Sequence, residues 1–408
     1  MQSSSASSTP GASRVAAKPL PEMEPPAVPA ADGARRRRVC TRCIMDDRSD
    51  PSIKFDAHGV CSHCARYDDL IATRVVKGEA GRAAAAELVA KIKAAGRGRE
   101  YDCIIGVSGG VDSTYVAYRV KEMGLRPLAV HFDNGWDSEL AVSNIEKVLK
   151  RLDIDLYTYV VDWEEFRDLQ LAFLRASTAD GEIPTDHGIF ALLWRQASQR
   201  GIKYIVSGMN FATEAASVPD WSYGHSDWLY IRAVHKRFGT AKLKTYPHFS
   251  LLDLAWFNGI RGIRTVSILN YLDYQKSDAM RVLQNELGWV YYGGKHYESV
   301  YTRFWQGYVL PRKFGIDKRV AHLSDLINAG QTTRANALEE IKAEPYAAQL
   351  AEQDRLYVIK KLAITEAEFE RLMALPRRTF RDYPNNFARI ERLKRFANEL
   401  RARGWYAR

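Results

Sequence analysis

The stretch IIGVSGGVDSTYVAYRV, residues Ile104–Val120, changes its pattern halfway along. Its first part completes the short apolar run Tyr101–Val107, which is typical of a buried strand. From Asp112 onward apolar residues recur with helical spacing, and Asp112 or Ser113 can cap the helix. Glycines at such a junction let a ligand approach the backbone, and the first N–H groups of a helix attract anions. The stretch therefore predicts a strand, a turn and a helix that bind a phosphorylated ligand; a glycine-rich turn without a ligand is the alternative.

Composition indicates a soluble globular protein. The chain has 408 residues, of which 46% are hydrophobic and 26% charged, and this length suggests two or three domains. It has no apolar run long enough to cross a bilayer, so we expect no membrane insertion. Residues 1–38 are rich in Ser, Ala and Pro and are predicted to form a disordered tail. Because this tail lacks the apolar core of a secretory signal, we expect a cytoplasmic location.

The net charge of +10 lies at the two ends of the chain. Residues 1–38 carry +3 and residues 376–408 carry +7, which leaves residues 39–375 neutral. An enzyme that acts on nucleic acid usually presents a basic face around its active site. The sequence therefore predicts no nucleic-acid partner, and the terminal charge indicates a solvated face or a docking surface for a protein.

Strand and helix patterns alternate after residue 100. The predicted strands are Asp102–Val107, Pro127–Phe132, Leu156–Val161 and Tyr204–Ser207, and the predicted helices lie near 112–124, 139–152, 163–177 and 188–200. This alternation predicts an α/β fold with a doubly wound parallel sheet, whose ligands bind at the carboxyl ends of the strands. The expected units are the tail 1–38, a cysteine-rich module 39–66, the sheet domain 67–265 and a mostly helical region 266–408 that completes the substrate site.

Four of the five cysteines have the spacing C-x2-C-x17-C-x2-C, namely Cys40, Cys43, Cys61 and Cys64. Two such knuckles bring four thiolates into one tetrahedron, which suits Zn²⁺. His58 and His63 are close enough in sequence to compete as ligands, but four thiolates already close the shell. A closed shell leaves no position for water, so we expect a structural metal; an iron–sulfur cluster is the minor alternative.

The glycine loop Ser108–Ser113 lacks the pattern of a P-loop or of a dinucleotide-binding turn. It resembles the pyrophosphate loop of the ATP pyrophosphatase (PP-loop) superfamily. The resemblance implies that the loop binds the β- and γ-phosphates of ATP, with Mg²⁺ at Asp112, and that adenine lies against the second strand. The implied ATP-binding residues are Val107, Ser108, Gly109, Gly110, Val111, Asp112, Ser113, Val130, His131, Phe132 and Gly208. His131 could equally be a structural histidine at a strand end.

Several longer segments resemble the N-acetyl sugar amidotransferase family. They are VCTRCIMDD, GVCSHC, SGGVDST, VHFDNGW, SGMNFATE and YYGGKHYESVYTRFWQGYVLPRKFGIDKR. The resemblance covers residues 39–375. It implies an enzyme of bacterial surface-polysaccharide (O-antigen) biosynthesis that converts an acetamido group of a free or nucleotide-linked sugar to an acetamidino group and releases AMP and pyrophosphate.

Cationic residues in aromatic or apolar surroundings are candidates to stabilise the α-phosphate as pyrophosphate leaves. These cationic residues are Lys295, Lys313 and Arg319. Together with Asp112 they form the predicted catalytic set. His296, Glu298 and Arg303 follow Lys295 at near-helical spacing and are the candidates to bind the sugar. A structural ion pair for each cation, and an ordinary polar helix face for the second group, are the alternatives.

The ammonia source must lie outside this chain. A glutaminase needs a nucleophilic cysteine, but position 2 is Gln2, four cysteines are assigned to metal, and Cys103 lies in the predicted first strand. We therefore expect a separate glutaminase subunit, which the resemblance implies is like that of imidazole glycerol phosphate synthase.

Three other functions are alternatives. Amidation of a sugar uronate to a uronamide would use the same loop, metal and ammonia, and the sequence does not separate it from acetamidino formation. Thiolation of tRNA would need reactive cysteines and a basic surface, which the sequence lacks. A non-enzymatic scaffold with a degenerate loop is disfavoured because every residue from Ser108 to Ser113 is retained.

Overall fold

The computed structural model describes residues 37–402, so all but the last two residues of the expected tail lie outside the described residues. Within this range five strands form one parallel sheet in the order β3-β2-β1-β4-β5. The strands are β1 (Cys103–Gly106), β2 (Pro127–Asp133), β3 (Leu156–Val160), β4 (Tyr204–Ser207) and β5 (Arg264–Ser267). The predicted parallel α/β sheet is confirmed.

The helices of residues 37–402 include two that precede β1, and those between the strands follow the predicted alternation. They are α1 (Ser62–Arg74), α2 (Gly78–Ala95), α3 (Val111–Glu122), α4 (Glu139–Leu152), α5 (Trp163–Ala176), α6 (Ile183–Arg200), α7 (Trp228–Phe238), α8 (Leu251–Ala255), α9 (Lys276–Leu287), α10 (Val300–Phe304), α11 (Arg319–Asn328), α12 (Arg334–Glu340), α13 (Ala348–Lys361), α14 (Glu366–Ala374) and α15 (Phe387–Ala402). The π-helical segments Trp256–Ile260 and Trp305–Phe314 continue α8 and α10.

Alternate residues of the central strand face opposite layers, which is why β1 consists almost entirely of apolar residues. Cys103 and Ile105 pack with α3, α4 and α9, whereas Ile104 packs with α5, α6 and α7. The segment after residue 300 adds Phe304, Trp305 and other aromatic residues to this second layer. The C-terminal helices therefore cover the sheet domain, and none of the helices in residues 37–402 is long and apolar enough to span a membrane.

Two elements differ from the prediction. β5 was missed because its sequence, RTVS, has no apolar run; it pairs with β4 at the sheet edge, where half-exposed residues are tolerated. As a result, the expected domain boundary after residue 265 falls inside a strand. α6 begins at Ile183, earlier than residue 188, because Pro184 stands in its first turn, where proline fits without losing a hydrogen bond.

The connection after α7 is fixed by a buried carboxylate of α5. Asp168 accepts hydrogen bonds from the backbone N–H groups of Thr240 and Ala241, and its Oδ2 lies 2.9 Å from His235 Nε2. Burial alone would raise the pKa of Asp168, but these partners outweigh burial and lower the pKa to about 2.

Asp168→Asn should therefore lower the free energy of unfolding at pH 7 by about 2 kcal/mol. A carboxyl whose pKa is lowered by folding stabilises the protein above its unfolded pKa of about 4 and loses this effect as the pH falls toward 2. Urea unfolding of both proteins at pH 7, 4 and 3 measures the difference. A stability gap that is constant over this range would contradict the assignment.

Candidate active site

The glycine loop connects β1 to α3 at the carboxyl end of the sheet. Gly109 has φ +77°, and a Cβ there would lie 2.8 Å from the carbonyl oxygen of Ala141, so only glycine fits. Gly110 is the N-cap of α3, and no side chain among the described residues caps this helix. The sequence suggested Asp112 or Ser113 as the cap. Both instead lie inside the first helical turn and face the cavity described below.

A second glycine brings β4 against this helix. A Cβ at Gly208, just after β4, would lie 3.1 Å from the backbone carbon of Asp112 and from the amide nitrogen of Ser113. The adjacent ends of β1 and β4 thus meet at the start of α3. Ligands of open parallel sheets bind at such ends.

A cavity of about 180 Å³ lies over the loop. It is lined by Ser108, Gly110, Val111, Asp112, Ser113, Gly208, Glu214, Lys276, Tyr291, Tyr292, Gly294, Lys295, His296 and Glu298. Tyr292 crosses above the helix, and its hydroxyl accepts a hydrogen bond of 3.3 Å from Val111 N–H. The cavity therefore combines free helix N–H groups with lysines and carboxylates, the set of groups that holds a phosphate chain and a divalent cation.

Asp112 is the carboxylate at the centre of this cavity. Its Oδ1 accepts a hydrogen bond from the Tyr274 hydroxyl. Burial and the neighbouring Glu214 raise the pKa of Asp112, while Lys295 and Lys276 oppose the shift. Asp112 and Glu214 both line this cavity, and carboxylate oxygens are the ligands that Mg²⁺ prefers in proteins.

The two lysines that face this cavity differ in their contacts. Lys295 donates to Glu214 Oε1 at 3.2 Å and to His322 Nδ1 at 3.3 Å. Burial, and then Lys295, lower the pKa of Lys276. Glu214 and Lys276 were absent from the predicted site. Glu214 follows β4, so it lies at the same carboxyl end of the sheet as the glycine loop, and this position could have identified it. No sequence pattern marks Lys276.

Glu298 has a different environment from the other carboxylates. A Cβ at Gly110 would lie 3.2 Å from its Oε1, and its Oε2 is buried with no partner among the described residues. Burial would raise its pKa, but His296, whose Nδ1 lies 3.5 Å from Oε1, outweighs this effect and lowers it. His296 has φ +63°, a strained conformation that directs it into the cavity.

A larger cavity of about 640 Å³ adjoins the first and shares its lysines, Glu214 and His296. Its further polar lining includes Ser222, His225, Arg303, Gln306, Asp317, Lys318, Arg319, His322 and Asp325. Burial, and then Lys295, lower the pKa of His322 to about 2, so this imidazole is neutral and accepts from Lys295.

The predicted cations Arg303 and Arg319 line the larger cavity, but each is already paired. Arg303 binds both oxygens of Asp354, at 2.6 and 2.8 Å. Arg319 binds Asp317 at 2.7 Å and the carbonyl of Ala343 at 2.9 Å. For Arg319 these contacts match the alternative of a structural ion pair, and Arg303 forms an ion pair that the sequence did not predict. Both guanidinium groups remain at the cavity wall.

The structure does not bring Lys313 to either cavity. Its ammonium is buried and donates to the carbonyls of Leu372, Met373 and Leu375 at the end of α14. Burial lowers the pKa of Lys313 to about 8. Lys313 caps a helix C-terminus, where unpaired carbonyls attract a cation, and this placement removes it from the predicted catalytic set.

The predicted adenine residues lie on β2, one strand away from the loop. His131 Nδ1 lies 2.9 Å from the carbonyl of Val107 and its Nε2 lies 3.2 Å from Asp137. The Phe132 ring stacks on Tyr159 inside the core, and Val130 is buried. The side chains of these three residues do not line the two cavities.

The four motif cysteines form a compact buried cluster. Their Sγ atoms all lie within 4.8 Å of one another, with Cys40–Cys64 at 3.9 Å and Cys43–Cys61 at 3.6 Å. Tetrahedral bonds of about 2.3 Å to zinc would place sulfur atoms about 3.8 Å apart, so the cluster fits this ion. His63 Nε2 lies 2.8 Å from Asp50 Oδ2 and His58 is exposed, so neither histidine joins the thiolates.

The cysteine module supports the larger cavity through α11. On one side of this helix, Ser324 Oγ accepts from Ile44 N–H, and the side-chain amide of Asn328 lies 3.4 Å from Cys64 Sγ. On the cavity side are His322 and Asp325. Asp325 Oδ2 accepts from the N–H groups that directly follow Glu214, both at 2.9 Å. Loss of the metal should therefore disturb the position of Glu214 as well as the fold of the module.

We expect elemental analysis to find about one zinc per chain. Cys64→Ser should yield poorly soluble protein, because the metal contributes folding free energy. Chelation of the wild-type protein should weaken nucleotide binding, measured by calorimetry, even though no cysteine lines the cavities. The matched control is Cys103→Ser, which should retain the metal. A metal-free protein with unchanged stability and nucleotide affinity would refute the structural role.

Comparisons with known proteins bear on the C-terminal region. Residues 298–396 match the family model described as LPS biosynthesis protein WbpG-like, C-terminal domain. None of the curated proteins matches the chain.

Two solved structures show only a weak likeness. NMN synthetase from Francisella tularensis is 14% identical, with a TM-score of 0.29, over 68% of this chain and 94% of that one. A predicted subunit of tRNA methyltransferase from Methanocaldococcus jannaschii is 13% identical, with a TM-score of 0.26, over 44% of this chain and 72% of that one. At these scores neither carries an argument about this chain. The comparisons therefore connect residues 298–396 with a family of lipopolysaccharide biosynthesis.

Proposed function

We propose that this protein is an ATP-dependent sugar amidotransferase of bacterial surface-polysaccharide biosynthesis. In the proposed reaction an acetamido oxygen is adenylated and then replaced by ammonia, which gives an acetamidino group, AMP and pyrophosphate. The match of residues 298–396 to a family of lipopolysaccharide biosynthesis supports the pathway. The resemblance of the motifs to N-acetyl sugar amidotransferases supports the reaction.

The observation that carries the proposal is the pair of adjoining cavities that meet at Lys295. The smaller cavity contains the glycine loop, the start of α3 and Asp112, and the larger one has room for a second substrate. Lys295, Glu214 and His296 line both. A group transferred from ATP to a sugar must pass such a boundary. We therefore place the β- and γ-phosphates in the smaller cavity, the α-phosphate near Lys295 and the sugar in the larger cavity.

The first step is attack by the acetamido oxygen on the α-phosphorus. The bond from this phosphorus to the bridging oxygen breaks, and pyrophosphate leaves with the electron pair. The ammonium groups of Lys276 and Lys295 and the N–H groups at the start of α3 stabilise the charge that accumulates on the phosphates. Mg²⁺, held by Asp112 and Glu214, would neutralise further phosphate charge when bound.

The second step is attack by ammonia on the activated carbon. AMP leaves and carries away the former amide oxygen, while a proton is lost from nitrogen. Neutral ammonia is required because ammonium has no free electron pair. His296 lines both cavities, whereas Glu298 lines the smaller one and its Oε2 has no hydrogen-bond partner among the described residues. These two residues are the candidates to accept this proton.

Cys103 does not supply a glutaminase nucleophile in this structure. Its side chain is fully buried in β1, and burial raises the pKa of its thiol to about 12. A thiol that is inaccessible and protonated at neutral pH cannot attack glutamine. We therefore propose that a separate glutaminase delivers ammonia, and that α15, which exposes Leu393 and Phe396 among basic residues, is a docking surface for it.

The nucleotide part of the proposal is tested by paired substitutions. Lys295→Met should lower the rate of ATP-dependent turnover about a hundred-fold, because it removes a cation at the developing charge. Lys313→Met should leave this rate within a few-fold of wild type while costing about 1–3 kcal/mol of stability, because three buried carbonyls lose their donor.

Asp112→Asn should abolish turnover with an unchanged fold. Release of ADP and phosphate in place of AMP and pyrophosphate would contradict the proposed attack on the α-phosphate.

The ammonia part is tested with purified protein, ATP and acetamido or uronate nucleotide sugars. Ammonium salts should support product formation increasingly as the pH rises, because the fraction of neutral ammonia rises. Glutamine alone should give no product until a glutaminase partner is added. Product masses distinguish an acetamidino sugar from a uronamide. The proposal of a separate glutaminase would be contradicted if the isolated chain hydrolysed glutamine and Cys103→Ala abolished this hydrolysis.

The docking role of α15 has its own test. Deletion of residues 390–408 spares Asn386, whose amide groups hold Asp227 of the sheet domain. This deletion should reduce glutamine-dependent turnover in the presence of the partner and leave ammonium-dependent turnover intact. Equal loss of both activities would argue against docking at this helix.

A further inference from the structure

A protruding helix exposes three large apolar side chains on one side of the molecule. It consists of α8 and its π-helical continuation. Leu252, Trp256 and Ile260 follow one another at intervals of four residues and are 81%, 41% and 77% exposed. We refer to these three residues as the α8 ridge. Phe257, on the opposite side of the same helix, is buried against Trp194, with ring centroids 6.0 Å apart, so the ridge is anchored to the core.

The sequence around the α8 ridge is strongly basic, although residues 39–375 as a whole are neutral. Residues 228–264 contain seven Lys or Arg residues and a single acidic residue, Asp253. Arg261 stacks on the Trp256 ring at 5.4 Å, and Arg195 donates to the carbonyl of His248 just before the helix. Arg264, in the edge strand that follows, is exposed. Apolar side chains and cations therefore share this surface.

The α8 ridge and the cavities lie at opposite ends of the sheet. The helix ends at Ile260 and β5 begins at Arg264. The ammonium of Lys203, directly before β4, donates to the carbonyl of Arg261 at 2.6 Å. These are the amino ends of the strands. The cavities lie at the carboxyl ends, after β1 and β4. A partner surface that binds at the ridge would therefore leave the cavities open to solvent.

We propose that the α8 ridge binds this protein peripherally to an anionic membrane surface. Protruding Leu and Ile side chains gain free energy by entering the boundary between headgroups and acyl chains, and Trp is favoured at that depth. The surrounding cations are attracted to negatively charged headgroups. A fluid surface needs no matching groove, which suits a projecting ridge, and the excess of positive charge selects an anionic surface.

The test is co-sedimentation of the full chain with vesicles. Phosphatidylcholine vesicles that contain phosphatidylglycerol should bind the protein, pure phosphatidylcholine vesicles should bind it weakly, and added salt should weaken binding. Leu252→Ser combined with Ile260→Ser should lower partitioning about ten-fold or more. Arg264→Gln should lower it about five-fold. Val160→Ser is the matched control, because Val160 is 67% exposed at the far edge of the sheet and should have no effect.

Absence of binding to anionic vesicles, or equal binding by the wild type and the double variant, would overturn the proposal. So would a wild-type dimer in size-exclusion chromatography that the double variant abolishes, since the ridge would then be a self-interface. Thermal unfolding establishes that each variant is folded, and Arg264→Gln gives an independent result should the double variant be unstable. The amount of AMP formed by the ridge variants in solution should equal that of the wild type, which keeps this proposal separate from the proposed function.

Discussion

The close approach of three backbone segments at the start of α3 is the constraint on which the rest of the active site depends. The end of β4 at Gly208 contacts the first turn of α3, and the loop at Gly109 contacts α4. A Cβ at Gly109 would lie 2.8 Å from the carbonyl oxygen of Ala141, and one at Gly208 would lie 3.1 Å from backbone atoms of α3. A side chain at either position would therefore push a helix away from the sheet. Because the gap is closed to side chains, the helix N–H groups and the hydroxyls of Ser108 and Ser113 face the cavity. The arrangement of hydrogen-bond donors around the cavity follows from this packing.

Charge inside the cavities is balanced across segments that are far apart in the chain. Lys295 lies between Glu214 and His322, and Asp112 accepts from Tyr274. Each carboxylate has a cation or a donor nearby, yet burial still raises the pKa of Asp112. Its protein partners therefore leave the charge of this carboxylate only partly compensated.

The cysteine module and the active site share one helix. α11 contacts the module through Ser324 and Asn328 and contacts the loop after Glu214 through Asp325. Arg334 of the next helix donates to the carbonyls of Cys40 and Cys43, which fixes the module from a second direction. The cysteine module is thus linked through α11 to the position of one carboxylate of the cavities.

Lys295 and Lys313 show how far sequence reasoning reached within the candidate site. Both stand in aromatic surroundings, and the sequence assigned both the same role. The structure separates them by their partners, since Lys295 faces a carboxylate at a cavity and Lys313 faces three carbonyls at a helix end. His131 shows the same limit, because its contacts with Val107 and Asp137 match the structural alternative that the sequence left open.

The sequence by itself determined the features that depend on short spacings. These are the strands β1 to β4, the glycine loop and the two cysteine pairs, because burial periodicity, turn geometry and metal ligation are set by residues a few positions apart. The tertiary structure decided which charges meet. Lys295 donates a hydrogen bond to Glu214, which lies 81 positions away in the chain, and Tyr274 donates one to Asp112, which lies 162 positions away. It also decided that RTVS forms the edge strand β5 and that the α8 ridge is left exposed. These outcomes depend on the packing of distant segments, for which a local pattern carries no signal.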